Sequence, residues 1–268
     1  MPPLLPGRVR EYSANGPPVL MVGDILGGYA SWGPHAALLG ADHRFIAASP
    51  LVVACAAAGQ APPEPWGIGV EGEALAAALD SLGLDTAHVG GWSLGGSVAL
   101  DFAMSHPGRV RESERVEPQA RWALRAAGHH ADADGDIAFI QAYAAMDDVD
   151  EEALAAFFHH AGAVAPGIRP QDSRAWPLAW AHRNALRYAA RVGEHREDAS
   201  RLAAVTAPSL IVRGASTIRR DRLVTDTLAA LLPNAQLLTL PGGHASHLTA
   251  IDRFVRAFRR LVAEAEGR

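Results

Sequence analysis

The sequence predicts an α/β protein, a mostly parallel sheet flanked by helices with a helical segment inserted before the last strands. Three observations carry this. Short apolar runs bounded by turn residues recur at 19–22, 45–48, 87–89, 210–212 and 236–240, as buried parallel strands do. Stretches with apolar residues at helical spacing alternate with them, which implies a parallel sheet covered on both faces. The tract from about 118 to 200 breaks the alternation, with helical patterns and Pro/Gly punctuation but no convincing strand.

The helices can be placed from their stripes and stops. Val70, Ala74, Leu75, Ala78, Leu79 and Leu82 repeat at helical spacing up to Gly83, and Leu223, Val224, Thr227, Leu228, Leu231 and Leu232 do so up to Pro233; glycine and proline are the usual terminators. Near the C-terminus Ile251, Phe254, Val255, Phe258, Leu261 and Val262 form one stripe, with Arg253, Arg256, Arg259 and Arg260 largely opposite. Such a helix packs its apolar face on the sheet. Residues 1–117 and 201–268 are therefore expected to form the core and 118–200 a helical cap. Trp122, Phe139, Tyr143, Phe157, Phe158, Trp176 and Trp180 fall in the cap, where they either line an apolar pocket or make the cap's own core.

Size and charge exclude several classes. A chain of 268 residues, 49% hydrophobic, can bury one sizeable core. Its 24 basic against 29 acidic residues give a net charge of −5 with no Lys/Arg run, so neither nucleic acid nor an anionic membrane is an expected partner. The single Cys55 cannot form an internal disulfide, and Met1-Pro2-Pro3-Leu4-Leu5-Pro6 lacks the basic and long apolar regions of a signal peptide. A cytoplasmic protein acting on a small molecule, without metal or cofactor, is the expectation. Oligomeric state is not readable.

The chemistry is concentrated after the third apolar run. Ala87-His88-Val89-Gly90 leads into Gly91-Trp92-Ser93-Leu94-Gly95-Gly96, and a helical stretch follows directly until Pro107. A serine hydroxyl is a weak nucleophile at neutral pH, so a turn that uses it must hold it exposed and strained, with small residues two positions either side. Gly91 and Gly95 meet that demand. The same turn aims the Leu94 N–H toward the place where a tetrahedral oxyanion would form.

With this strand–turn–helix, the order of later landmarks resembles the α/β-hydrolase superfamily, in particular its small serine esterases, lactonases and thioesterases. Those landmarks include Ser105-His106-Pro107-Gly108-Arg109-Val110, Leu210-Ile211-Val212-Arg213-Gly214 and Leu240-Pro241-Gly242-Gly243-His244. The resemblance implies the α/β-hydrolase fold, Ser93 as nucleophile and His244 as general base, with His247 the lesser candidate. It also implies a carboxylate that orients the imidazole. The usual position, after 210–212, reads Gly214-Ala215-Ser216-Thr217 and holds no acid. Glu117, where some members carry the acid, is preferred; Asp221 is the alternative, equally explained as a residue of a helix start. The strand leading to Glu117 is in doubt, because Arg111-Glu112-Ser113-Glu114-Arg115 is more polar than a central parallel strand should be; either it is short and starts near Arg115 or the segment is atypical and leaves Glu117 misplaced. In place of the common His-Gly, Gly23-Asp24 precedes Ile25, whose backbone N–H the resemblance pairs with Leu94 as an oxyanion hole. Asp24 is read as a turn residue bonding its own backbone, or else as a ligand for a substrate hydroxyl or amine or a sign of chemistry other than hydrolysis.

Other motifs fail in context. Gly67-Ile68-Gly69-Val70-Glu71-Gly72 matches a dinucleotide fingerprint, but the proline-rich 61–65 before it cannot be a buried strand. Asp132-Ala133-Asp134-Gly135-Asp136 has its glycine too early for a calcium loop and reads as a solvated turn. The pairs His129-His130 and His159-His160 have no further ligand at metal spacing, and Cys55 reads as buried filler. The expected function is hydrolysis of a carboxylic ester, lactone or thioester through an acyl-enzyme on Ser93. Trp92 and the cap residues Trp122, Trp176 and Trp180 would contact an apolar substrate. Non-hydrolytic catalysis on the same scaffold (acyl transfer, lyase or cyclase chemistry) and a degenerate binding protein are the alternatives.

Overall fold

In the computed structural model, which describes residues 8–165 and 167–267, backbone pairing builds one seven-stranded sheet. The strands are β1 (Val9–Glu11), β2 (Pro18–Val22), β3 (Arg44–Ala48), β4 (Ala87–Trp92), β5 (Val110–Val116), β6 (Ser209–Gly214) and β7 (Ala235–Leu240). Their spatial order is β1-β3-β2-β4-β5-β6-β7, with β1 antiparallel and all the rest parallel. Each apolar run of the sequence lies within one of these strands. Residues 1–6, on which the signal-peptide reading rests, lie outside the described residues.

The helices are α1 (Gly33–Leu39), α2 (Leu51–Ala57), α3 (Ile68–Ser81), α4 (Leu94–Ser105), α5 (Arg121–Ala126), α6 (His130–Ala144), α7 (Glu151–His160), α8 (Trp176–His182), α9 (Ala189–Glu194), α10 (Arg219–Leu231), α11 (Ser246–Thr249) and α12 (Ile251–Ala265). On one face of the sheet, Trp32 just before α1, Leu39 of α1 and Phe254, Phe258 and Leu261 of α12 are buried with Val19, Phe45, Val116 and Val212. Each such side chain contributes about 1.5–3 kcal/mol relative to exposure. A larger core joins α3, α4 and α10 to the other face and continues into α5–α9. Between β5 and β6 the described residues carry helices and no strand, matching the broken alternation at 118–200.

Two expectations need correction. β5 is not short: it runs the full Val110–Val116 and buries Glu112, Ser113, Glu114 and Arg115 completely. Local polarity lost to the sheet's demand for a strand between β4 and β6, and the pairing of β4 with β5 shifts register opposite Ala87–Val89. The segment 132–136 is no solvated turn but lies inside α6, with Asp136 only 4% exposed. Its side chain is drawn inward by Arg121 and Arg220.

Candidate active site

Parallel connectivity places the C-terminal ends of β4, β5, β6 and β7 along one edge of the sheet, where α/β proteins keep their functional loops. Ser93 leaves β4 with φ 56 and ψ −117 and enters α4 at once. A non-glycine residue there is strained by roughly 1–3 kcal/mol and persists only where its surroundings enforce it. The enforcement is close packing: a Cβ on Gly95 would sit 2.2 Å from the Val22 carbonyl oxygen, and one on Gly91 2.2 Å from that of Gly95. Only hydrogen fits at either position.

Glu117 follows β5 and is likewise left-handed, φ 41. It is fully buried; its N–H donates to Val212 O at 3.0 Å and its Oε1 accepts from Gly214 N at 2.7 Å. Oε2 then meets His244 Nδ1 at 2.7 Å. Asp221, in the first turn of α10, also approaches Nδ1, at 3.4 Å, so both acids considered from the sequence converge on one imidazole. Asp221 does not cap the helix; it holds the Arg220 guanidinium at 2.7 and 3.1 Å.

The electrostatics follow from these contacts. Burial alone would lower the His244 pKa, but hydrogen bonds to Asp221 and Glu117 and their charges raise it from 6.5 to about 9. Burial pushes the Asp221 carboxyl up, yet the Arg220 charge and the His244 hydrogen bond outweigh it and hold it well below the usual range. Glu117, Asp221 and His244 offer ligand atoms within 4.8 Å of one another. The buried Arg220 fork on Asp221 disfavours a divalent cation there, since like charge would lie beside it.

Ser93 and His244 line one cleft, together with Ile25 and Leu94. Among the described residues no hydrogen bond joins the Ser93 hydroxyl to the ring, a contact that often tightens only with substrate bound. Neither the Ile25 nor the Leu94 N–H has a hydrogen-bond acceptor among the described residues. Asp24 helps to leave Ile25 free: its carboxylate accepts from Leu26 N at 3.2 Å and Gly27 N at 3.1 Å, as a turn residue would. His182 of α8 ties the same loop through Leu26 O at 2.7 Å. His247 is fully buried, stacked on His35, and does not line the cleft.

The four tryptophans expected to contact substrate are not on the cleft wall. Successive strand residues face opposite sides, so Trp92 points to the α12 face and donates its indole N–H to His244 O at 3.0 Å. Trp122 is buried in the core. Trp176 packs on Phe158 and Trp180, and Trp180 lies 39% exposed beneath Arg183. The wall from 118–200 is made instead by Gln119, Arg121, Ile140, Phe157, His160 and Val192, with Arg220 from α10. Nothing in the sequence marks these arginines, which in loops and helix starts look like surface charge.

A curated relative, the putative carbamate hydrolase RutD of Pseudomonas savastanoi pv. phaseolicola, is 30% identical over 244 residues, covering 87% of this chain and 88% of its own length. The chain belongs to the α/β-hydrolase superfamily. The superfamily's fold extends along nearly all of the chain: a hydrolase from Pseudomonas aeruginosa PA01 superposes with a TM-score of 0.74 at 22% identity, covering 97% of this chain and 94% of that one. A thermophilic esterase from Thermogutta terrifontis gives a TM-score of 0.73 at 18% identity, covering 98% and 97%. A search against protein-family models finds no match.

Proposed function

We propose that the protein is a serine hydrolase that cleaves a carboxylic ester, lactone or thioester through an acyl-enzyme on Ser93. One observation carries the reading: a strained serine at a strand–helix junction shares a cleft with an imidazole whose far nitrogen is held by Glu117 at 2.7 Å. Neutral His244 takes the Ser93 proton as Oγ adds to the carbonyl carbon, and the Ile25 and Leu94 N–H groups receive the oxyanion. The imidazolium then protonates the leaving group. Water, deprotonated by the same ring, releases the acid and restores Ser93. Carbamates, named for the RutD relative, present the same kind of acyl carbon and belong in the substrate screen. Segment 118–200 acts as a cap, supported by its share of the cleft wall. Ser93→Ala is expected to cut p-nitrophenyl ester turnover at least about a thousandfold and to abolish fluorophosphonate labelling, with unchanged circular dichroism. Labelling retained on another residue would overturn the assignment.

A further inference from the structure

The cleft beside Ser93 is chemically one-sided. Ile25, Leu94, Ile140, Phe157 and Val192 make it apolar, and its ionisable lining residues are all bases: Arg121, His160, Arg220 and His244. No carboxylate lines it among the described residues. The acids that hold those bases contact them from outside the lining. Asp136 accepts from both Arg121 and Arg220 and meets His160 Nε2 at 2.6 Å. Asp221 takes the Nε and Nη2 side of Arg220 at 2.7 and 3.1 Å.

These ion pairs fix the two guanidiniums without exhausting them. Arginine carries five N–H donors. Arg121 spends three, on Asp136, on Gln119 O at 3.3 Å and on Gln119 Oε1 at 2.7 Å, so each terminal nitrogen keeps an N–H without an acceptor. Arg220 Nη2 likewise gives one N–H to Asp221 and keeps one. Both side chains are buried, 6% and 9% exposed. A buried cationic donor left without an acceptor costs more than a neutral one, and a planar fork held in place suits a carboxylate.

We propose that the substrate of this hydrolase carries a carboxylate, seated on Arg121 and Arg220 a short distance from the carbonyl that Ser93 attacks. The inference rests on the reading of Ser93 as nucleophile and narrows it to acids esterified at one end. The internal acids keep the arginines in register, and the substrate carboxylate supplies the missing acceptor.

The test compares monomethyl succinate with methyl butyrate, which differ only in a carboxylate for a methyl group, by titrating the acid released. The anionic ester should be favoured in kcat/KM by about tenfold to a hundredfold, the worth of one hydrogen bond to a charged group. Arg121→Met should bring that ratio toward one, and Arg121→Lys should retain part of it. Because Arg121→Met leaves Asp136 with one guanidinium fewer, Arg121→Met/Asp136→Asn is measured alongside. Succinate binding to Ser93→Ala protein, followed by calorimetry, probes the same arginines without turnover. Equal cleavage of both esters, with no succinate binding, overturns the proposal and leaves the hydrolase reading intact. Succinate binding that is lost with Arg121→Met upholds the carboxylate seat even where neither ester is cleaved; the acyl-enzyme reading is then judged separately, by fluorophosphonate labelling of Ser93.

Discussion

Two carboxylates on one imidazole set an alkaline activity profile. The rise of His244 from 6.5 to about 9 corresponds to roughly 3 kcal/mol of preference for the imidazolium. At pH 7 only about one ring in a hundred is then neutral and able to accept the Ser93 proton. kcat/KM for an uncharged ester should therefore climb nearly tenfold per pH unit between 7 and 8 and level off above about 9. Asp221→Asn removes one of the two charges, and Arg220, no longer neutralised there, disfavours the imidazolium further. A unit charge at 4 Å is worth about 4 kcal/mol at an effective dielectric of 20, less after screening and relaxation. The inflection should thus fall by at least about one pH unit, raising the variant's activity relative to wild type at pH 7 while its plateau at pH 9.5 drops. The assay is a pH series on both proteins with a fixed p-nitrophenyl ester, read against buffer-only hydrolysis. A wild-type profile flat from pH 7 to 9.5, or an inflection unmoved by the substitution, would refute the reasoning. The same raised pKa has a stability consequence with a definite sign. The folded state binds the proton more tightly, so the contribution is whole below pH 6.5 and lost as pH rises through about 9.

Three further outcomes follow from particular contacts. Glu117→Gln should cost about a hundredfold in kcat, less than the roughly 10⁴-fold expected when the only orienting carboxylate becomes an amide, because Asp221 already lies 3.4 Å from Nδ1; Glu117→Gln/Asp221→Asn should recover the larger loss. Glu114 has both carboxylate oxygens buried without a hydrogen bond, and burial and then the charge of Glu112 push its pKa well up. Its ionisation therefore opposes folding from about pH 4.5 upward, and Glu114→Gln should raise the Tm at pH 7 by several degrees, for roughly 1–3 kcal/mol, with the gain shrinking below pH 4.5 in a calorimetric series. Gly95→Ala drives a methyl group to 2.2 Å from Val22 O and 2.5 Å from Gly23 O; a loss on the order of 3 kcal/mol, about 10 °C in Tm, should accompany loss of activity, and a wild-type melting curve would contradict the packing account.

The sequence by itself determined what is written locally. Strand and helix positions follow from periodicity over a few residues, and the elbow follows from two glycines flanking Ser93, because close backbone packing leaves a signature at the residues that make it. The α12 stripe was readable for the same reason, all but Ile251 of its six residues being buried in the structure. Tertiary structure decided which carboxylates meet His244, across 127 residues for Glu117, and which side chains wall the cleft. Arg220 and Asp136, 84 positions apart, reveal their pairing only when α6 and α10 are brought together. An arginine in a sequence is a charge with no address. Burial turns it into a directed donor, and burial is a property of the whole packed chain, as the four tryptophans, placed by sequence on the cleft and by packing elsewhere, demonstrate.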